Sequence, residues 1–275
     1  MSLFTKKGND ALNSATANDG AAKESPIVSL KTGTSYKVGI KSIEDVAEYY
    51  GYSIYKKVNT FVPKNPADRN AKGFITANPT VWDRAAELLY GEANAAKEGG
   101  ASDADVKPLT DEAYLYRGKP KFLRAFFDLD TGKDIVIDFS PKQEKTIKAV
   151  IQKYANKLGK IAFELSKSGE STNAVVALSP IIDMDEDLTD KQRENYAKLG
   201  AAPFDMESLE TCLYVADEAE QIKNLVIAGF DIGRLGLTYG GDTAAAAASA
   251  PKQPEADGES IKPIDPNAPA PNLNF

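Results

Sequence analysis

Residues 121–158 constrain the fold more than any other stretch, because their hydrophobic period changes once, at a clearly marked point. From Lys121 the chain alternates with period two. Leu123, Ala125, Phe127 and Leu129 point to one face, and Phe122, Arg124, Phe126 and Asp128 to the other. The glycine-containing segment 129–133 reads as a hairpin turn, and 134–139 as the returning strand. Ser140 then offers an N-cap, Pro141 suits the first helical position, and Gln143 completes a capping box. Ile147, Val150, Ile151, Tyr154 and Leu158 recur at helical spacing until Gly159 stops the helix. Strand, turn, strand and helix are all written in local signals.

The flanking segments extend this plan. Residues 35–43 alternate, with Val38 and Ile40 inward and Lys37 and Lys41 outward. Residues 49–62, rich in Tyr, Ile, Val and Phe, read as one strand ended by Pro63. Residues 80–97 read as a helix with Val81, Ala85, Leu88 and Leu89 on one stripe, and the polar stretch from Gly99 to Thr110 as a loop. A last hairpin is expected over 160–166 and 174–178, and further helices over 189–200 and 205–226. The fold class is therefore mainly β with added helices (α+β). The element order suggests an OB-fold-like five-stranded Greek-key barrel, with a helix between its third and fourth strands and one strand more than the barrel needs. In domain terms, 1–25 is a flexible N-terminal arm, and 26–182 is the core with an insertion at 65–112. An acidic helical extension follows at 183–239. The Ala- and Pro-rich 240–275 cannot bury a core and is expected to be a disordered tail.

Composition removes whole classes of chemistry. The chain has no histidine and a single cysteine, Cys212, which excludes Ser-His-Asp and Cys-His machinery, disulfides within the chain and Cys/His zinc sites. Cys212 sits among Leu209, Leu213 and Val215 and reads as a buried thiol. Gly229, Gly233 and Gly236 lack the helix that a dinucleotide fingerprint requires, and the acids at 183–187 lack the glycine and twelfth-position glutamate of an EF-hand. The expectation is a protein with no enzymatic activity, no catalytic residues, no cofactor and no metal. The first residues lack the apolar stretch of a secretory signal, and no apolar run approaches the length of a membrane span.

Net charge is −7, but its distribution is uneven. Residues 114–167 hold 12 Lys/Arg against 6 Asp/Glu, whereas 183–223 hold 12 acids against 4 bases. The basic segment interleaves aromatic and cationic side chains, the mixture that single-stranded nucleic acid needs: rings for bases to stack on, and cations to track phosphates. The candidate interface comprises Lys37 and Lys41 on the first strand, then Tyr49, Tyr55, Lys56, Lys57 and Phe61 on the second. Phe122, Arg124 and Phe126 come from the third strand, with Tyr114, Tyr116, Arg117, Lys119 and Lys121 entering from the side. Lys64, Arg69 and Lys72 lie in a loop able to clasp phosphates. Tyr50 and Tyr52 are assigned to the core, and the lysines of the 141–158 helix to an ordinary solvated face. The competing arrangement is a strand covered on both faces, in which the aromatic run is simply core.

With these features in place, the chain resembles the single-stranded-DNA-binding proteins of tailed bacteriophages, the T-even helix-destabilising type in particular, over residues 1–180. Leu3, Phe4, Thr5, Lys6 and Lys7 are similar to that family's basic N-terminal arm, and 116–158 to its core. The resemblance implies sequence-nonspecific binding in DNA replication and recombination, self-association through the arm, and a location in the host bacterial cytoplasm. The family's zinc subdomain has no counterpart; residues 65–112 occupy its place. The tail is instead similar in style to that of bacterial single-strand-binding proteins. Leu273 and Phe275 would engage replication or recombination proteins, although the adjacent acids of that type are missing. The alternative reading is a phage structural or scaffold-like protein that binds no nucleic acid. A carboxylate-metal nuclease would have to draw on Asp128, Asp130 and Asp138.

Overall fold

The computed structural model describes residues 26–169 and 174–239. In chain order the elements are β1 (Ser35–Gly39), β2 (Val46–Ile54), β3 (Val58–Pro63), β4 (Asp68–Arg69), β5 (Ile75–Ala77), α1 (Val81–Glu98), α2 (Asp103–Tyr116), β6 (Lys119–Asp128), β7 (Lys133–Phe139) and α3 (Pro141–Lys153). There follow β8 (Phe163–Ser168), β9 (Val175–Pro180), α4 (Met184–Asp187), α5 (Asp190–Tyr196), a 3-10 segment (Met206–Cys212), β10 (Val215–Ala216) and α6 (Glu218–Ala228). The N-terminal arm, the turn at 170–173 and the tail with Leu273 and Phe275 lie outside the described residues.

The strand-turn-strand-helix unit forms where its local signals place it, except that the helix expected to reach Leu158 ends at Lys153 and is followed by a 3-10 turn at Ala155–Lys157. The Ser140 hydroxyl accepts from the Gln143 amide, and the Gln143 side chain accepts from the Ser140 amide. β6 is the hub of an eight-stranded sheet. One of its edges pairs with β7. The other is shared between β2, from Val46 opposite Arg124 to Gly51 opposite Lys119, and β1, where Gly39 faces Phe127. β1 also pairs with β8, and β8 with β9. A parallel bridge of Ile27 to Val136 occupies the far edge of β7.

This is a mixed α+β fold with a large sheet. The expected closed barrel is not formed among the described residues, because β7 and β9 share no ladder and α3 packs against both. Residues 49–62 are two strands rather than one. The chain reverses at Tyr55 and Lys56, where Lys56 adopts a positive φ of 60°. The expected 99–110 loop contains most of α2, capped by the Ser102 hydroxyl.

β6 is buried on both faces, and this corrects the expected outward face. Phe126, with the partly buried Phe122, packs with Ile135, Ile137 and Phe139 of β7 against Ile147 and Ile151 of α3. Leu123 and Ala125 pack under Phe204, Leu209 and Cys212, while Phe127 packs under Leu188 and Leu199. The acidic extension therefore covers one side of the sheet with an apolar inner face. Cys212 is a buried thiol. A separate core gathers Tyr52, Phe61, Trp82, Tyr116, Leu225 and Phe230 between β2, β3, α1, α2 and α6.

Candidate nucleic-acid interface

The sites proposed from sequence divide sharply by burial. Phe61, Tyr116 and Phe126 belong to apolar cores, so none can receive a base. Phe61 and Tyr116 pack edge-on or tilted against Trp82, and Phe126 packs edge-on against Phe139. Arg124 is 2% exposed. Its Nε donates to both Glu144 carboxylate oxygens at 3.1 and 3.0 Å, and its Nη2 to one of them at 2.6 Å. A guanidinium held in this way completes the core under α3 and is unavailable to phosphates.

Other members sit at the surface with their charge already engaged. Lys41 pairs with Asp134 at 2.8 Å, its ammonium lying over the Phe127 ring, and Lys37 pairs with Glu164 at 3.8 Å. Lys121 pairs with Asp138. The half-buried Tyr49 phenol donates to the same carboxylate. Burial first, and the Asp138 charge second, push its pKa far above the ordinary tyrosine value. Lys57 donates to the Ala228 carbonyl at 3.0 Å, which draws it toward α6.

What remains forms a pattern. Three tyrosine rings on β2, the β2–β3 turn and α2 each carry their own cation, as Tyr154 just after α3 does with Lys153. The Arg69 guanidinium lies 4.1 Å from the Tyr50 centroid, the Lys56 ammonium 5.3 Å from that of Tyr55, and the Lys119 ammonium 4.8 Å from that of Tyr114. Tyr55 and Tyr114 are 46% and 47% exposed, and Phe74 on the neighbouring arm is 60% exposed. Two of these sites border the β2–β6 ladder, where Tyr50 faces Pro120 and Gly51 faces Lys119, successive pairs that project to opposite faces of the sheet. Gly51 allows the crowding there. A Cβ at Gly51 would lie 2.9 Å from Thr60 Cγ2, 3.1 Å from Tyr49 Cε2 and 3.2 Å from Lys121 Cδ. Burial and the neighbouring Lys121 charge lower the pKa of Lys119 below the usual lysine range.

Beside this ladder lies a cleft of about 250 Å³, lined by Glu48, Tyr49, Tyr50, Tyr52, Val62, Pro63, Pro66, Ala67 and Arg69. Its outer wall is the β4–β5 arm, which a buried network ties to α1. The Asp83 carboxylate accepts from the Tyr52 hydroxyl, from Thr80 and, at 3.1 Å, from Arg69, whose other donor reaches the Gly73 carbonyl. Gly73 has φ 81°, and a Cβ there would run into the Tyr50 hydroxyl. The arm therefore needs glycine for both its backbone and its approach to Tyr50. Lys64, Lys72 and Arg117 are exposed around these elements.

The structure thus brings together Tyr49, Arg69, Lys119 and Lys121 and leaves Tyr55, Lys56, Lys64, Lys72, Tyr114 and Arg117 at the surface. Tyr50 and Phe74 are additions. Tyr52 is core as expected, but Tyr50 faces the cleft, and the Lys72-Gly73-Phe74 turn was the signal for the arm. No group of three or more His, Cys, Asp or Glu side chains among the described residues is placed to hold a metal ion, and no described helix is long and apolar enough to cross a membrane. Comparison with family models, curated proteins and solved structures finds no match.

Proposed function

We propose that the protein binds single-stranded DNA without sequence specificity, stacking bases on Tyr50, Tyr114, Tyr55 and Phe74 while Lys119, Lys56, Lys64 and Lys72 meet phosphates. The observation that carries this reading is that the exposed Tyr55 and Tyr114, and the half-buried Tyr50 of the cleft, each lie against a cation. A base has a π-face whatever its identity, and each stack is worth about 1–3 kcal/mol, so three or four rings give useful affinity. The hub strand with α3 between β7 and β8 supports an opened OB-like arrangement as the underlying plan. A role in phage replication or recombination, inside a bacterial host, follows from the resemblance over residues 1–180.

Fluorescence-anisotropy titration with oligo-dT, duplex DNA and RNA at two salt concentrations tests it. Preference for the single strand, weakening as salt rises, is expected because phosphate contacts release counterions. Equal affinity for duplex, or no binding at low salt, overturns the reading and leaves a phage structural or scaffold-like role.

A further inference from the structure

Between Ser140 and Phe163 the chain has six lysines and one acid, Glu144. That acid is buried and consumed by Arg124. Lys142, Lys145, Lys148, Lys153, Lys157 and Lys160 are all exposed, and among the described residues none of them forms an ion pair. α2 shows the usual alternative, where Lys107 and Asp111 pair at i,i+4. On α3 the i,i+4 neighbour of Lys142 is Thr146, that of Lys145 is Ala149, and that of Lys148 is Gln152. Lys142, Lys145 and Lys148 follow one another at i,i+3, where like charges destabilise a helix slightly. A face built in this way gains from an external polyanion.

We propose that the exposed lysine face of α3, continued by Lys157 and Lys160, is a second phosphate-tracking surface for single-stranded nucleic acid, extending the strand's path beyond the tyrosine cleft. This rests on the nucleic-acid reading above. At 1.5 Å per residue, Lys142, Lys145, Lys148 and Lys153 are spaced about 4.5–7.5 Å along the axis, a row of point charges suited to a backbone of repeated phosphates. Between them lie Thr146, Ala149 and Gln152, with no exposed large apolar side chain. Protein interfaces need such an anchor at their centre and are depleted in lysine, so a nucleic-acid backbone fits this face better than an acidic protein does. α3 begins directly after Phe139, which is paired across β6 with Phe122. Phe122 is in turn paired with Glu48 of the cleft, so the face leads away from the tyrosine site.

The test compares the full chain with a variant carrying Lys142→Gln, Lys145→Gln, Lys148→Gln and Lys153→Gln, exposed changes of similar helix propensity. Affinity is measured against salt for oligo-dT of about 6 and about 30 nucleotides. Each lost phosphate contact lowers the single-strand salt slope by about 0.7, so losing two or three contacts flattens it by about 1.5–2. The expected result is that flattening, with at least tenfold weaker low-salt binding of the long oligonucleotide and unchanged binding of the short one. An unchanged slope for the long oligonucleotide overturns this inference while leaving the cleft intact. Failure of the unaltered protein to bind either length overturns the nucleic-acid reading itself. Loss of both lengths in a Tyr50→Ala variant, beside loss of the long one only in the lysine variant, identifies the two surfaces separately.

Discussion

Replacing Glu144 by Ala is expected to be among the most damaging single changes in the chain, although the side chain lies on a helix covered with lysines. The carboxylate receives three hydrogen bonds from Arg124, and both groups are almost wholly buried. Removing one partner leaves a guanidinium in the core hydrogen-bonded to the Ile43 carbonyl, 3.3 Å from Nη1, with the Asp45 charge nearby as its remaining counter-ion among the described residues. Breaking a buried pair in this manner destabilises by about 3–5 kcal/mol. Against a total of about 5–15 kcal/mol, this is a large fraction of the folding free energy. Urea unfolding followed by Trp82 fluorescence and far-UV circular dichroism measures the loss. Trp82 is a suitable reporter because it is the sole tryptophan, fully buried, with its indole N–H on the Gln221 carbonyl. The companion variant Arg124→Met with Glu144→Leu should recover stability to within about 1 kcal/mol, since an apolar pair of similar volume avoids the desolvation of two ions. It should also bind oligo-dT as the unaltered protein does. A loss below about 1 kcal/mol for Glu144→Ala, or a folded double variant that no longer binds, would show that Arg124 reaches solvent and phosphates after all.

Three further outcomes are expected. Phe126→Ala should lower stability by about 3–5 kcal/mol in the same unfolding assay, as for a buried ring, and leave the affinity of the folded fraction unchanged. Gly73→Ala should weaken oligo-dT binding and lower stability by about 1–2 kcal/mol, because alanine is strained at its positive φ and displaces the arm from Tyr50; an unaffected affinity would separate the arm from the site. Stability should fall as pH rises from about 10 to about 12. Burial raises the Tyr196 phenol to about 12 and those of Tyr49 and Tyr52 well above normal, so the folded state retains protons that the unfolded chain, titrating near 10, has lost. The Tyr196 hydroxyl is buried without a protein partner, so Tyr196→Phe should reduce that alkaline loss and leave stability at pH 7 equal or higher.

The parts of the fold that were legible in sequence are those determined within a few residues. Ser140 with Gln143, and the helix that opens after Thr80, are local devices and appear where the spacing puts them. The β2–β3 reversal was hidden because Lys56 supplies the positive φ that glycine or asparagine would normally announce. α2 was obscured by Pro108, although Ser102 and Asp105 form its cap. Tyr114 and Tyr116 consequently lie on a helix, one exposed and one in the core. The period of β6 was correct, but which face meets water is not a local property. It is decided by Glu144 arriving 20 residues later and by Phe204 and Leu209 arriving from the acidic extension. The candidate site survives in part for the same reason. Cations on turns and helix ends stayed exposed, while Phe61 and Phe126 inside strands and Tyr116 on α2 were taken into cores.

The central claim is that bases stack on Tyr50 and Tyr114 and not on the rings of β6. Measuring oligo-dT affinity and unfolding free energy side by side for Tyr50→Ala, Tyr114→Ala and Phe122→Ala tests it most directly. The two tyrosine changes should each weaken binding by about 1–3 kcal/mol with stability nearly unchanged, while Phe122→Ala should destabilise the fold and leave binding by the folded protein intact. The opposite assignment, with Phe122 carrying affinity and the tyrosines carrying none, would contradict the account.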